Sequence, residues 1–80
     1  MTLRDYYTTL TKMIEEDPST LDCEIIYAKD DEGNSYYSVN WHPSVMYTDQ
    51  VGYEMDARSE TDIEEEGESV DDYIKVICIN

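Results

Sequence analysis

Eighty residues with 20 Asp and Glu against 5 Lys and Arg give a formal charge of −15, which argues against nucleic acid or an anionic membrane as a direct partner. The length allows one domain with one modest core, because a chain of this size buries only about 60% of the surface that it exposes unfolded. A 40% hydrophobic content suffices for folding, and 8 Tyr with no Phe predict a thin core with phenolic rings half-emergent at its edge.

The first element is a helix over about Leu3 to Glu16. Leu3, Tyr6, Tyr7, Leu10, Met13 and Ile14 fall at i, i+3, i+4, i+7, i+10 and i+11, one continuous apolar stripe assigned to the core. Thr2 is placed to cap it, with Asp5 at the third helical position in the manner of a capping box. Asp17-Pro18 ends it, since the residue before Pro is pushed out of the α region.

Two runs rich in β-branched and aromatic residues follow, Cys23 to Lys29 and Ser35 to Trp41. Asp31, Glu32, Gly33 and Asn34 lie between them, which is a β-hairpin pattern with Gly and Asn for positive φ. Apolar residues on both faces of the first run predict a central strand. The run beginning at Asp30 also invites a calcium reading. An EF-hand loop needs Gly at the sixth position and Glu at the twelfth; here Gly33 is the fourth and Trp41 the twelfth. The hairpin turn explains every residue, and a weak divalent site at Asp30, Asp31 and Glu32 stays open.

His42-Pro43 ends the second strand. Val45 and Tyr47 alternate, then Val51, Tyr53 and Met55, which predicts a third strand or an irregular strand pair. From Asp56 to Asp72 the composition changes: Arg58 is the only base among nine acids. Ser59 with Asp62 predicts at most one capped helical turn, in an otherwise solvated, mobile insert. Tyr73 to Ile79 is the most apolar run, expected as a central strand beside the first. Cys23 and Cys78 both fall in apolar runs and read as reduced core thiols. No signal-peptide run precedes the helix and no stretch is long enough to span a membrane, so a cytosolic setting is expected.

Enzymatic chemistry is not expected. His42 is the single His, and no Gly-rich loop, nucleophile elbow, cofactor motif or zinc spacing is present. With 20 acids, close carboxylate pairs carry no information. The acidic insert has two readings. One is a solvated loop. The other is a decoy whose carboxylates imitate nucleic acid, which in duplex DNA presents about one charge per 1.7 Å.

Leu3, Leu10, Asp17, Leu21, Ile25, the run Asp30 to Asn34, Tyr36 and the closing Val76 to Ile79 together resemble a group of small phage-encoded proteins of uncharacterised function. The resemblance spans most of the chain and implies a bacterial-virus origin, expression in the host cytoplasm and no catalytic residue. By analogy of lifestyle it suggests blocking host defence or redirecting host enzymes.

The expected fold is α+β: one N-terminal helix on a mostly antiparallel three- or four-stranded sheet, in a single domain with an insert at about 56–72. The expected function is an interaction protein that inhibits or modulates a basic host protein, as a nucleic-acid mimic. Its partner-binding residues would be Asp56, Glu60, Asp62, Glu64, Glu65, Glu66, Glu68, Asp71 and Asp72, with Tyr36, Tyr47 and Tyr53 as anchors. The alternative is an accessory module assembling, with itself or with another phage protein, through a sheet edge or the Tyr-rich face. No cofactor and no metal are expected in either case.

Overall fold

The structure, a computed structural model, describes residues 1–52 and 54–79. Its first element starts where the capping pattern places it. Helix α1 spans Leu3–Glu16. Thr2 Oγ1 accepts from the Asp5 N–H at 3.2 Å, and Asp5 Oδ2 accepts from the Thr2 N–H at 3.2 Å. These bonds satisfy backbone donors that the first turn leaves open. The backbone N–H of Thr2 also holds the Asp5 carboxyl below its ordinary range. After Asp17 the chain winds into a 3-10 turn, Pro18–Asp22. Asp17 Oδ1 starts it by accepting from the Ser19 N–H at 3.1 Å and its hydroxyl at 2.7 Å.

Strands β1 (Ile26–Ala28) and β2 (Tyr36–Ser38) pair antiparallel, with Tyr27 opposite Tyr37. Flanking bonds lengthen the ladder: Lys29 N–H to the Ser35 carbonyl at 2.8 Å, and Val39 N–H to the Ile25 carbonyl at 3.1 Å. The Tyr27 and Tyr37 rings lie 5.9 Å apart, and Lys29 Nζ sits 5.5 Å from the Tyr37 ring centre. In the connecting turn Asp30 Oδ1 accepts from the Asn34 N–H at 2.9 Å, and Asn34 Nδ2 donates to Glu32 at 3.0 Å. Gly33 takes φ +69°, and a Cβ there would come 2.8 Å from the Tyr36 hydroxyl oxygen.

Strands β3 (Ser44–Thr48) and β4 (Ile74–Cys78) form the second antiparallel ladder, running from Ser44↔Cys78 to Thr48↔Ile74. Helix α2 (Glu60–Glu65) and a second 3-10 turn (Val70–Asp72) lie between them in sequence. Ser59 Oγ accepts from the Asp62 N–H at 3.2 Å and caps α2. The helix closes in a Schellman motif: Glu68 N–H bonds the Ile63 carbonyl at 3.1 Å, and Gly67 N–H bonds the Glu64 carbonyl at 3.0 Å. Gly67 supplies the φ of +80° that this ending requires.

The chain is thus α+β, and its contacts divide it into two compact units, Met1–Asn40 and Trp41–Asn80. Three features differ from the sequence reading. Among the described residues the strands form two two-stranded sheets, and β4 lies beside β3 rather than beside β1. β3 matches β4 over five residues, whereas β1 offers three. The α1 stripe is more open than its period implies, with Leu3 57% and Met13 48% exposed, because the three-residue strands of its unit offer little surface to cover it. Cys23 closes the first 3-10 turn and is exposed instead of lying in a strand, because the strand begins only at Ile26. Cys78 is half-buried in β4.

Candidate functional site

The second unit is built around Arg58, which acts through both backbone and side chain. Its N–H donates to the Tyr47 carbonyl at 2.9 Å, and its carbonyl accepts from the Tyr47 N–H at 2.8 Å. That bridge lays the start of the acidic segment along β3. The guanidinium then reaches forward in sequence. Nη1 donates to Glu66 and, at 3.2 Å, to Glu68; Nη2 donates to the Tyr73 hydroxyl at 2.7 Å. The guanidinium carbon lies 5.0 Å from the Tyr73 ring centre. One cation therefore ties β3, the end of α2 and the entry to β4.

The four groups shift one another's protonation. The Tyr73 hydroxyl, and next the Arg58 guanidinium, hold the Glu68 carboxyl below its ordinary range. Tyr73 is pushed up, first by its hydrogen bond to Glu68 and then by partial desolvation. The Arg58 guanidinium is held more firmly protonated, first through Tyr73 and then through Glu68 and Glu66. In α2, Ile63 is fully buried, with Tyr47 and Thr48 the other buried residues among those described. The segment 56–72, read from composition as burying little, therefore supplies the most buried side chain among the described residues of the unit.

An open groove of about 360 Å³ lies at this place, lined by Tyr47, Thr48, Asp49, Asp56, Arg58 and Tyr73. The guanidinium in it is already engaged, so Asp49 and Asp56 are the charged groups left facing an incoming molecule. Such a lining suits a cationic group. Among the described residues no three His, Cys, Asp or Glu side chains converge as a metal site needs. No helix among them is long and apolar enough to cross a membrane.

The residues assigned from sequence to partner binding fall into distinct places. Glu60, Asp62, Glu64 and Glu65 are exposed on α2. Asp71 and Asp72 are exposed on the second 3-10 turn, where Ser69 Oγ accepts from the Asp71 N–H at 3.2 Å. Asp56 lines the groove. Glu66 and Glu68 are paired with Arg58 and so differ from the other acids. Tyr36 lies in the other unit, on β2, and is 59% exposed. Tyr47 is 8% exposed; its ring belongs to the core, which corrects its assignment as an anchor. Tyr53 lies outside the described residues. Sequence reasoning missed the Arg58–Tyr73 pair, although the lone Arg among nine acids was a signal of it. Set beside family models, curated proteins and solved structures, the chain matches none of them.

Proposed function

We propose that this chain is an acidic interaction protein that occupies a basic, nucleic-acid-binding surface of a host protein, in the phage setting that its sequence resemblance implies. The observation that carries this reading is the holding of the carboxylates. Glu60, Asp62, Glu64 and Glu65 stand on a helix capped at both ends, and Arg58 fixes the chain on either side of it. Charges on a held scaffold present a defined field without the ordering cost that a loose loop would meet on binding. Residues 41–80 contain eleven acids against Arg58 and Lys75, so that field is strongly negative after Arg58 is paired off. A basic cleft would draw it in by long-range attraction, as it draws in duplex DNA.

The test is competition. A basic DNA-binding protein from the host is loaded with labelled duplex, and this protein is titrated in at low salt. Displacement of the duplex supports the reading, and failure to displace it at any concentration refutes it. A second reading, an accessory module that assembles through a sheet edge, draws on the open side of β4.

A further inference from the structure

The parity of the β3–β4 ladder determines which backbone groups face outward. Tyr47 exchanges both backbone bonds with Arg58, so its N–H and C=O point away from β4. The pair Tyr47↔Lys75 is then a non-hydrogen-bonded pair, and Met46↔Val76 and Thr48↔Ile74 are the bonded ones. By the same alternation, the N–H and C=O of Lys75 and Ile77 point to the far side of β4. Among the described residues no further strand pairs there, since the sheet order is β3-β4. Two strands alone are marginal in water, and an apolar strand with an unpaired side is a template for another strand. Ile74 and Ile77 are exposed on its two opposite faces, 45% and 37%. Asp71 and Asp72 lie in the 3-10 turn before the strand, separated from it by Tyr73, and are exposed.

Charge selects the occupant. A second copy would bring another −15 against Asp71 and Asp72, whereas a cationic segment is attracted to them. We propose that the outer side of β4 takes an extended segment of a basic partner as a third strand. Its backbone bonds Lys75 and Ile77, its apolar side chains lie on the Ile77 face of the sheet, opposite the face that carries Ile74, and its Lys or Arg residues lie near Asp71 and Asp72. This rests on the charge reading above and adds to it a docking mode, strand addition, in which main-chain bonds give affinity.

The probes are two synthetic peptides of equal charge, one alternating Lys with Val and one alternating Lys with Pro, added to the full-length protein. Pro cannot donate to a ladder, so only the first peptide can form a strand. The Val peptide should bind about tenfold more tightly than the Pro peptide, in line with a few net backbone bonds. It should also slow hydrogen exchange at the Lys75 and Ile77 amides. Ile77→Pro should abolish the difference between the peptides while sparing the β3 ladder, because the Ile77 N–H faces away from β3. If that variant unfolds, exchange at Lys75 in the wild type decides alone. Equal binding of both peptides, with unprotected amides, overturns strand addition and leaves the charge reading standing. Binding of neither at low salt defeats both. Protection of these amides without peptide overturns the proposal as well, in favour of a second copy if it depends on protein concentration and of the chain's own cover if it does not.

Discussion

Arg58 and Tyr73 contact each other in two ways: Nη2 donates to the phenol oxygen at 2.7 Å, and the guanidinium carbon lies 5.0 Å from the ring centre. The pair joins the residue that bridges to β3 with the residue that leads into β4. Arg58→Ala should therefore lower the thermal midpoint by several degrees, whereas Lys75→Ala, the other cation of residues 41–80, should change it little. Arg58→Lys should recover only part of the loss, since an ammonium cannot serve two carboxylates and a phenol from one planar fork. Thermal denaturation of the three variants checks this. Equal midpoints for Arg58→Ala and Lys75→Ala would show that the pair is a surface contact without structural weight.

Among the described residues of the second unit, Ile63 is the fully buried side chain, although it sits in the most acidic stretch of the chain. Ile63→Ala should cost about 2–5 kcal/mol in urea denaturation, a large share of the 5–15 kcal/mol typical of a domain. A loss below about 0.5 kcal/mol would match a surface position and contradict its place in the core.

The elements that could be read from sequence are those made by neighbours. Thr2 and Asp5 cap each other across one turn, and Asp30 to Asn34 close on themselves, so their chemistry is visible in a short window. Ser59 and Gly67 likewise mark the ends of α2 locally. What could not be read depends on distant residues. The alternation of Tyr73 to Ile79 identifies a strand but not its neighbour, which is set by the five-residue match to β3. Tyr47 looks like any other Tyr in sequence, yet it is buried and bridges to Arg58, a residue outside its own strand. Glu66 and Glu68 are indistinguishable by composition from Glu64 and Glu65, yet only the first two lie at the guanidinium.

The protonation shifts give a pH signature. Glu68 is held below its ordinary range, so its contribution to stability is present above the unfolded value of about 4.3 and is lost as pH falls through the folded one. Tyr73 is raised, so its contribution is complete below about 10 and is lost as pH rises through its folded value. The stability gap between wild type and Glu68→Gln should thus be constant near neutrality and shrink below about pH 4. The gap to Tyr73→Phe should shrink above about pH 10. Comparison with a variant removes the background repulsion of the other carboxylates. Gaps that do not change over the whole range would contradict the network.

The two thiols should react at different rates. Cys23 is exposed at the end of the first 3-10 turn and Cys78 is half-buried in β4. A thiol reagent should label Cys23 first in the native protein, and denaturant should bring Cys78 to a similar rate. Native labelling at equal rates would contradict their placement.

In the proposed function the held carboxylates drive binding to a basic surface. Glu64→Gln with Glu65→Gln removes two exposed charges that the Arg58 network does not use, and should leave the thermal midpoint unchanged or slightly raised. Glu66→Gln with Glu68→Gln removes the same charge but should lower the midpoint, because it releases Arg58. The most direct measurement is association of wild type and the variant carrying all four changes with a basic DNA-binding protein, across a salt series. The four changes should slow association far more than they speed dissociation. Wild-type binding should fall steeply as the screening length shrinks from about 10 Å at 0.1 M salt to about 3 Å at 1 M. Equal binding by both proteins, independent of salt, would contradict the proposed function.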